Sequence, residues 1–112
     1  MTATKNRTLS TVLTTNNQDV YVAPTLFKAD IDSILVTNNS SSAVSVTLEW
    51  WSKGLNTYYK VLGNTSIKAG GILQIEKAIG LDQQDKIRAL ASTADVVTVT
   101  ITATETYTTS TL

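Results

Sequence analysis

The sequence predicts an all-β fold, an antiparallel two-sheet β-sandwich of seven or eight strands linked as a jelly roll or Greek key. Three observations carry this. The segments 43–51 and 96–108 alternate apolar and polar residues with a period of two, the repeat of a half-buried strand. Short apolar runs are punctuated along the chain by Asn, Gly, Ser and Asp, the residues that build turns. No stretch shows the 3.6-residue apolar repeat of an amphipathic helix, and the connections are too short for parallel crossovers.

The elements follow in order. Residues 1–7 are polar and read as an extended N-terminal arm, with the sandwich domain spanning 8–107 and a C-terminal tail at 108–112. Thr8 to Thr14 is a first strand whose apolar members are Leu9, Val12 and Leu13, closed by a turn at Asn16-Asn17-Gln18. Val20 to Val22 is a short strand ended by Pro24, which cannot donate to a ladder. Phe27 to Thr37 is built on Ile31, Ile34, Leu35 and Val36, and Asn38 to Ser42 turns the chain.

Val44, Val46, Leu48 and Trp50 then fall on one face of a strand, and Ser45, Thr47, Glu49 and Trp51 on the other. Ser52 to Asn56 is a hairpin loop leading into Thr57–Leu62, and Gly63-Asn64 signals a turn before a short strand at Ser66–Lys68. Ala69-Gly70-Gly71 breaks that strand and Ile72–Glu76 follows. Lys77 to Asp85 reads as an irregular connection. Lys86 to Ala91 puts Ile87, Ala89 and Ala91 on one face. The last strand sets Val97, Val99, Ile101, Ala103 and Tyr107 against a row of Thr98, Thr100, Thr102, Thr104 and Thr106. The predicted core centres on Val44, Val46, Leu48, Val97, Val99 and Ile101, with Trp50 buried beside them and Trp51 outside.

Composition narrows the function. A length of 112 residues suits one domain with one core. Only 16% of residues are charged, so Thr, Ser and Asn must cover the surface. Such a neutral surface repels its neighbours weakly and suits a dense assembly, although threonine is also an ordinary strand residue. Nine basic and nine acidic residues cancel without clustering, which argues against nucleic-acid partners and membrane surfaces. The absence of Cys and His removes disulfides, the usual zinc sites, thiol catalysis and the commonest general base. Met1 to Ser10 lacks the apolar run of a secretory signal, and no segment is apolar for long enough to cross a membrane as a helix. The Asn-X-Ser/Thr triplets at Asn6, Asn38, Asn39 and Asn64 therefore read as turn chemistry.

What remains for chemistry is carboxylates and aromatics. Asp30 and Asp32 share a strand face, but calcium takes six to eight oxygens and two carboxylates fall short. Glu76, Asp82 and Asp85 are interleaved with Lys77, Lys86 and Arg88, which reads as surface ion pairing. Neither catalytic residues nor a metal site nor a cofactor is expected. Trp50, Trp51, Tyr58 and Tyr59 flank the hairpin loop, so pairing brings them together. Trp51, Tyr58 and Tyr59 are the candidate partner-binding residues, with one tyrosine sharing the outer face with Trp51. Such rings serve protein contacts, stack on sugars, or only stiffen the hairpin.

Several segments also carry a family likeness. They are Asp30 to Asn39, Val44 to Leu48, Ile67 to Gly71, Gly80 to Ile87, and Ala91 to Ala94 ahead of the last strand. In these the chain resembles the small β-sandwich virion structural proteins of tailed bacteriophages, over about two-thirds of its length. It departs at Gln84-Asp85, where Gly-Asp is the expected pair and a turn with positive φ would be strained. The resemblance implies a non-enzymatic protein located in the virion that contacts capsid or neck and tail proteins and forms homo-oligomers within the assembly. Capsid decoration or cementing is the leading expectation, with a neck, tail or fibre-attachment component second. A carbohydrate-binding β-sandwich module built on the aromatic patch is the rival from another class.

Overall fold

A computed structural model describes residues 4–76 and 79–108. Nine strands run through them: β1 (Thr4–Val12), β2 (Gln18–Val22), β3 (Phe27–Asn38), β4 (Val44–Ser52), β5 (Thr57–Ile67), β6 (Ile72–Ile75), β7 (Ile79–Leu81), β8 (Lys86–Ala91) and β9 (Val97–Tyr107). One sheet has the order β1-β9-β3-β6, with β7 also paired to β3, and the other has the order β2-β8-β4-β5. Every pairing is antiparallel. Most connections pass from one sheet to the other, and β4–β5 is a hairpin within one sheet. The fold is the predicted two-sheet sandwich.

The core is the facing apolar rows of the two sheets. Val44, Val46 and Leu48 from β4 meet Val97, Val99 and Ile101 from β9, all at most 2% exposed. Two irregularities add to it. A register shift in β3 between Ile31 and Ser33 lets Ile31 and Ile34, three apart, both face inward. A shift in β2 between Asp19 and Tyr21 lets the neighbours Val20 and Tyr21 both be buried. Asn38 is buried too and spends its amide as a staple: its Nδ2 donates to the carbonyls of Ser42, Ile67 and Lys68 at 2.8, 2.9 and 3.1 Å. It joins the β3–β4 turn to the β5–β6 turn, and a buried amide so satisfied carries no desolvation penalty.

Several boundaries differ from expectation. Residues 4–7 of the expected arm belong to β1 and pair with β9 from Thr4 opposite Thr106 to Arg7 opposite Ala103. The physical reason is Glu105, which lies at the core parity of β9, is 0% exposed, and needs the inward-facing cations of that segment. Val12 faces solvent, and Leu13, just past the strand, is the residue that enters the core. Gly63-Asn64 does not end a strand. β5 runs through it with shifted register, and Asn64 has a φ of 31°. The expected irregular connection contains β7, while Lys77 and Ala78 lie outside the described residues. At the far end Thr108 is tied to the Leu26 carbonyl through its N–H (2.7 Å) and hydroxyl (3.0 Å), and 109–112 of the expected tail lie outside the described residues.

Gln84 adopts a φ of 68°, the left-handed conformation that the departure from Gly-Asp made uncomfortable. Its side chain offsets the strain by accepting from Lys53 and donating to Thr25.

Candidate interaction face

The hairpin β4–β5 sorts its four aromatics by register. Trp51 lies opposite Tyr58 and Trp50 opposite Tyr59, so the two pairs point to opposite faces of the sheet. Only Tyr58 shares the outer face with Trp51. Tyr59 is not brought to it and stacks on Trp50 with ring centroids 5.2 Å apart. Trp50 keeps the inward parity and packs against the core but is half-buried rather than buried, and its indole N–H is enclosed without a partner. Trp51 is half-buried as well. The tryptophans therefore differ in the face they line more than in their burial.

On the outer face β8 supplies Lys86 opposite Trp51 and Arg88 opposite Glu49. The Lys86 ammonium sits 4.9 Å over the Trp51 ring, and the Arg88 guanidinium sits 3.3 Å over Tyr58. Trp51 and Tyr58 are tilted at 6.2 Å. Arg88 Nε donates to Glu49 Oε1 at 2.7 Å, and Lys60 Nζ donates to the other oxygen at 3.3 Å. Partial burial pushes the Glu49 carboxyl up, but these two hydrogen bonds and the two positive charges outweigh it and hold the group below its ordinary value. Asp19 of β2 pairs with Lys86 at 3.5 Å. The outcome is a side of the sheet on which two aromatic rings are each capped by a cation that also pairs with a carboxylate of the chain.

Asp32 and Asp85, also singled out in the sequence, hold the fold together. Asp32 accepts from the Thr104 hydroxyl at 2.7 Å on the outside of the other sheet. Asp85 is buried and caps a turn, accepting from the backbone N–H groups of Lys53 (2.9 Å) and Asp82 (3.1 Å). Of the cations expected to pair with Glu76, Asp82 and Asp85, Lys86 and Arg88 go to Asp19 and Glu49 instead, and Lys77 lies outside the described residues. Among the described residues no three His, Cys, Asp or Glu groups are placed to hold a metal ion. A cleft of about 300 Å³ opens at the far end of β5, lined by Ser66, Ile67, Lys68, Gly71, Ile72 and Leu73, with Ile72 65% exposed.

Sequence reasoning missed one cluster. Glu105 Oε2 accepts from Arg7 at 3.1 Å and from the Tyr21 hydroxyl, and Lys5 stands 3.6 Å from Oε1. Burial pushes the Tyr21 hydroxyl up, and its hydrogen bond to Glu105 and that residue's charge push it further, against the pull of Arg7. The signal was present, because a glutamate at the parity of Val97, Val99, Ile101 and Ala103 demands a buried partner.

No family model matches the sequence, and no curated protein does. Solved structures share the fold. A subunit of Bacillus endospore appendages, described as disulfide-linked pili, superposes with a TM-score of 0.58 at 15% identity, covering 97% of this chain and 89% of that one. A chain from the capsid of Helicobacter pylori bacteriophage KHP30 gives 0.56 at 9% identity over 97% and 95%. The VP2 subviral particle of infectious bursal disease virus gives 0.54 at 10% identity, with this chain matching 32% of that one.

Proposed function

We propose that the chain is a non-enzymatic structural subunit of a phage virion, decorating or cementing the capsid, and that Trp51 and Tyr58 form the centre of its contact with neighbouring proteins. The observation that carries this is the outer face of β4, β5 and β8. Two large rings lie there side by side, held by Lys86 and Arg88. Aromatics and arginine are the residues enriched at protein contacts, and rings already fixed in place lose little entropy on binding. The fold itself occurs, over nearly the whole of this chain, in subunits of a phage capsid and of an endospore appendage. With no cysteine in the sequence, contacts here would not be disulfide-linked as in those appendages. Tyr59 is exposed but faces the other way, and the proposed contact is centred without it.

The test compares Trp51→Ala with Trp50→Ala. Trp51→Ala keeps the melting transition nearly unchanged and weakens association by tenfold or more, about 1.4 kcal/mol, in sedimentation. Trp50→Ala costs about 3 kcal/mol of folding stability, the lower end for a buried aromatic. A Trp51→Ala protein that associates as the wild type does, or that loses binding on a glycan array instead, overturns the reading. Antibody labelling of purified virions tests the location: label on the capsid shell is expected, and label at neck or tail moves the subunit to that part.

A further inference from the structure

The strand β1 is held to the domain more by charge than by apolar burial. None of its nine residues is fully buried, and only Leu9 packs against the core. What its inward side supplies is charge: Arg7 and Lys5 answer the carboxylate of Glu105, and Lys5 also lies 4.7 Å over the Phe27 ring. The chain is anchored immediately afterwards. Leu13 is 0% exposed, its N–H donates to the Val97 carbonyl at 2.8 Å, and its own carbonyl accepts from Asp95 at 3.0 Å. The domain can therefore release β1 up to Val12 and keep its core. Release would leave the β9 edge bare, with a buried carboxylate beside it, and that is costly until a strand bearing two inward cations returns.

We propose that β1 is an exchangeable strand, and that the vacated edge of β9 is filled by β1 of a second copy of this chain. Charge complementarity selects the occupant. The incoming strand must carry cations at the positions opposite Ala103 and Glu105, and the Lys5-Asn6-Arg7 sequence of another copy does so in the same register. The exchanged form reproduces every β1–β9 interaction of the closed one, so the equilibrium is set by concentration and by the hinge at Val12–Leu13. This inference rests on the reading of the chain as an assembly subunit, and it adds a partner and a mode of linkage independent of Trp51.

Ser10 and Thr100 are paired across β1 and β9 with their hydroxyls 2.9 Å apart, and the chain has no cysteine of its own. Ser10→Cys and Thr100→Cys chains are mixed at high concentration, oxidised, and run on a non-reducing gel. A covalent heterodimer that neither variant yields alone is expected, and it persists when both carry Trp51→Ala. The double variant Ser10→Cys/Thr100→Cys, oxidised at low concentration, closes within one chain, melts at or above the wild-type temperature and no longer enters the exchanged form. If the mixture gives no heterodimer while the double variant closes normally, β1 stays on its own domain and the exchange is overturned. Association that survives in sedimentation despite that result leaves the assembly reading standing, so the two failures are distinguishable.

Discussion

At the scale of single residues the most consequential is Glu105. A carboxylate with no exposure is tolerated only because Arg7, Lys5 and Tyr21 converge on it. Arg7→Ala leaves it with Lys5 and one phenol, and should cost about 2–3 kcal/mol, the range of a lost charged hydrogen bond. Urea unfolding checks this: the midpoint should fall with little change in slope. Adding Glu105→Gln to Arg7→Ala should recover part of the loss, because the uncompensated charge is then gone. A purely additive double variant would show that the two residues do not depend on each other. This cluster was only half legible in the sequence. Glu105 broke the apolar parity of its strand, which is a visible flag, but its cations lie 98 residues away for Arg7, and nothing local connects them. Asp85 misled in the opposite sense. Its neighbours in sequence are cations, while its partners in space are backbone N–H groups of a turn.

At the scale of elements, legibility followed regularity. β4 and β9 are legible with their parity, because alternation over many residues admits one register with a buried face. β1, β5 and β7 depart from the sequence pattern, each for its own reason. β1 turns cations inward, β5 passes through Gly63-Asn64, which has the chemistry of a turn, and β7 has three residues. The start of β1 at Thr4 makes truncation of the expected arm consequential. Removing residues 1–7 takes away both cations of Glu105 and should destabilise the domain by about 3–5 kcal/mol, as breaking a buried pair does. Leu48→Ala, at the centre of β4 and 0% exposed, should cost about 2–5 kcal/mol by a different route, the cavity it leaves. Thermal melts of the two variants give the comparison, and a truncated domain as stable as the full chain would restore the arm.

Glu49 binds three strands together, since it sits on β4 and receives Lys60 from β5 and Arg88 from β8. Its carboxyl is held below the ordinary 4.5, so the folded state prefers it ionised. The stabilisation is therefore complete above pH 4.5 and is lost as the pH falls through the lower folded-state value. Glu49→Gln removes this contribution at every pH. The stability difference between wild type and Glu49→Gln should be constant from neutral pH down to the ordinary carboxylate value, then shrink in more acid solution. A difference that grew on acidification would give the shift the wrong sign.

For the whole molecule, the distribution of charge decides what holds copies and partners together. The chain has no net charge, and the cations that border the aromatic face are already committed, Arg88 and Lys60 to Glu49 and Lys86 to Asp19. Little charge is left over for a partner, so contact through this face must draw on burial of the Trp51 and Tyr58 rings. Burial of that kind is insensitive to ionic strength, whereas pairing between exposed charges is screened over about 10 Å at 0.1 M salt and about 3 Å at 1 M. Sedimentation at low and high sodium chloride should therefore give association constants within about threefold of each other, and sulfate should strengthen association, as it does other apolar contacts. An association that collapses by tenfold or more on adding chloride would mean that Lys86 and Arg88 leave their internal partners to bind acidic groups on a neighbour. The contact would then be electrostatic, with the rings serving only to hold the cations in place.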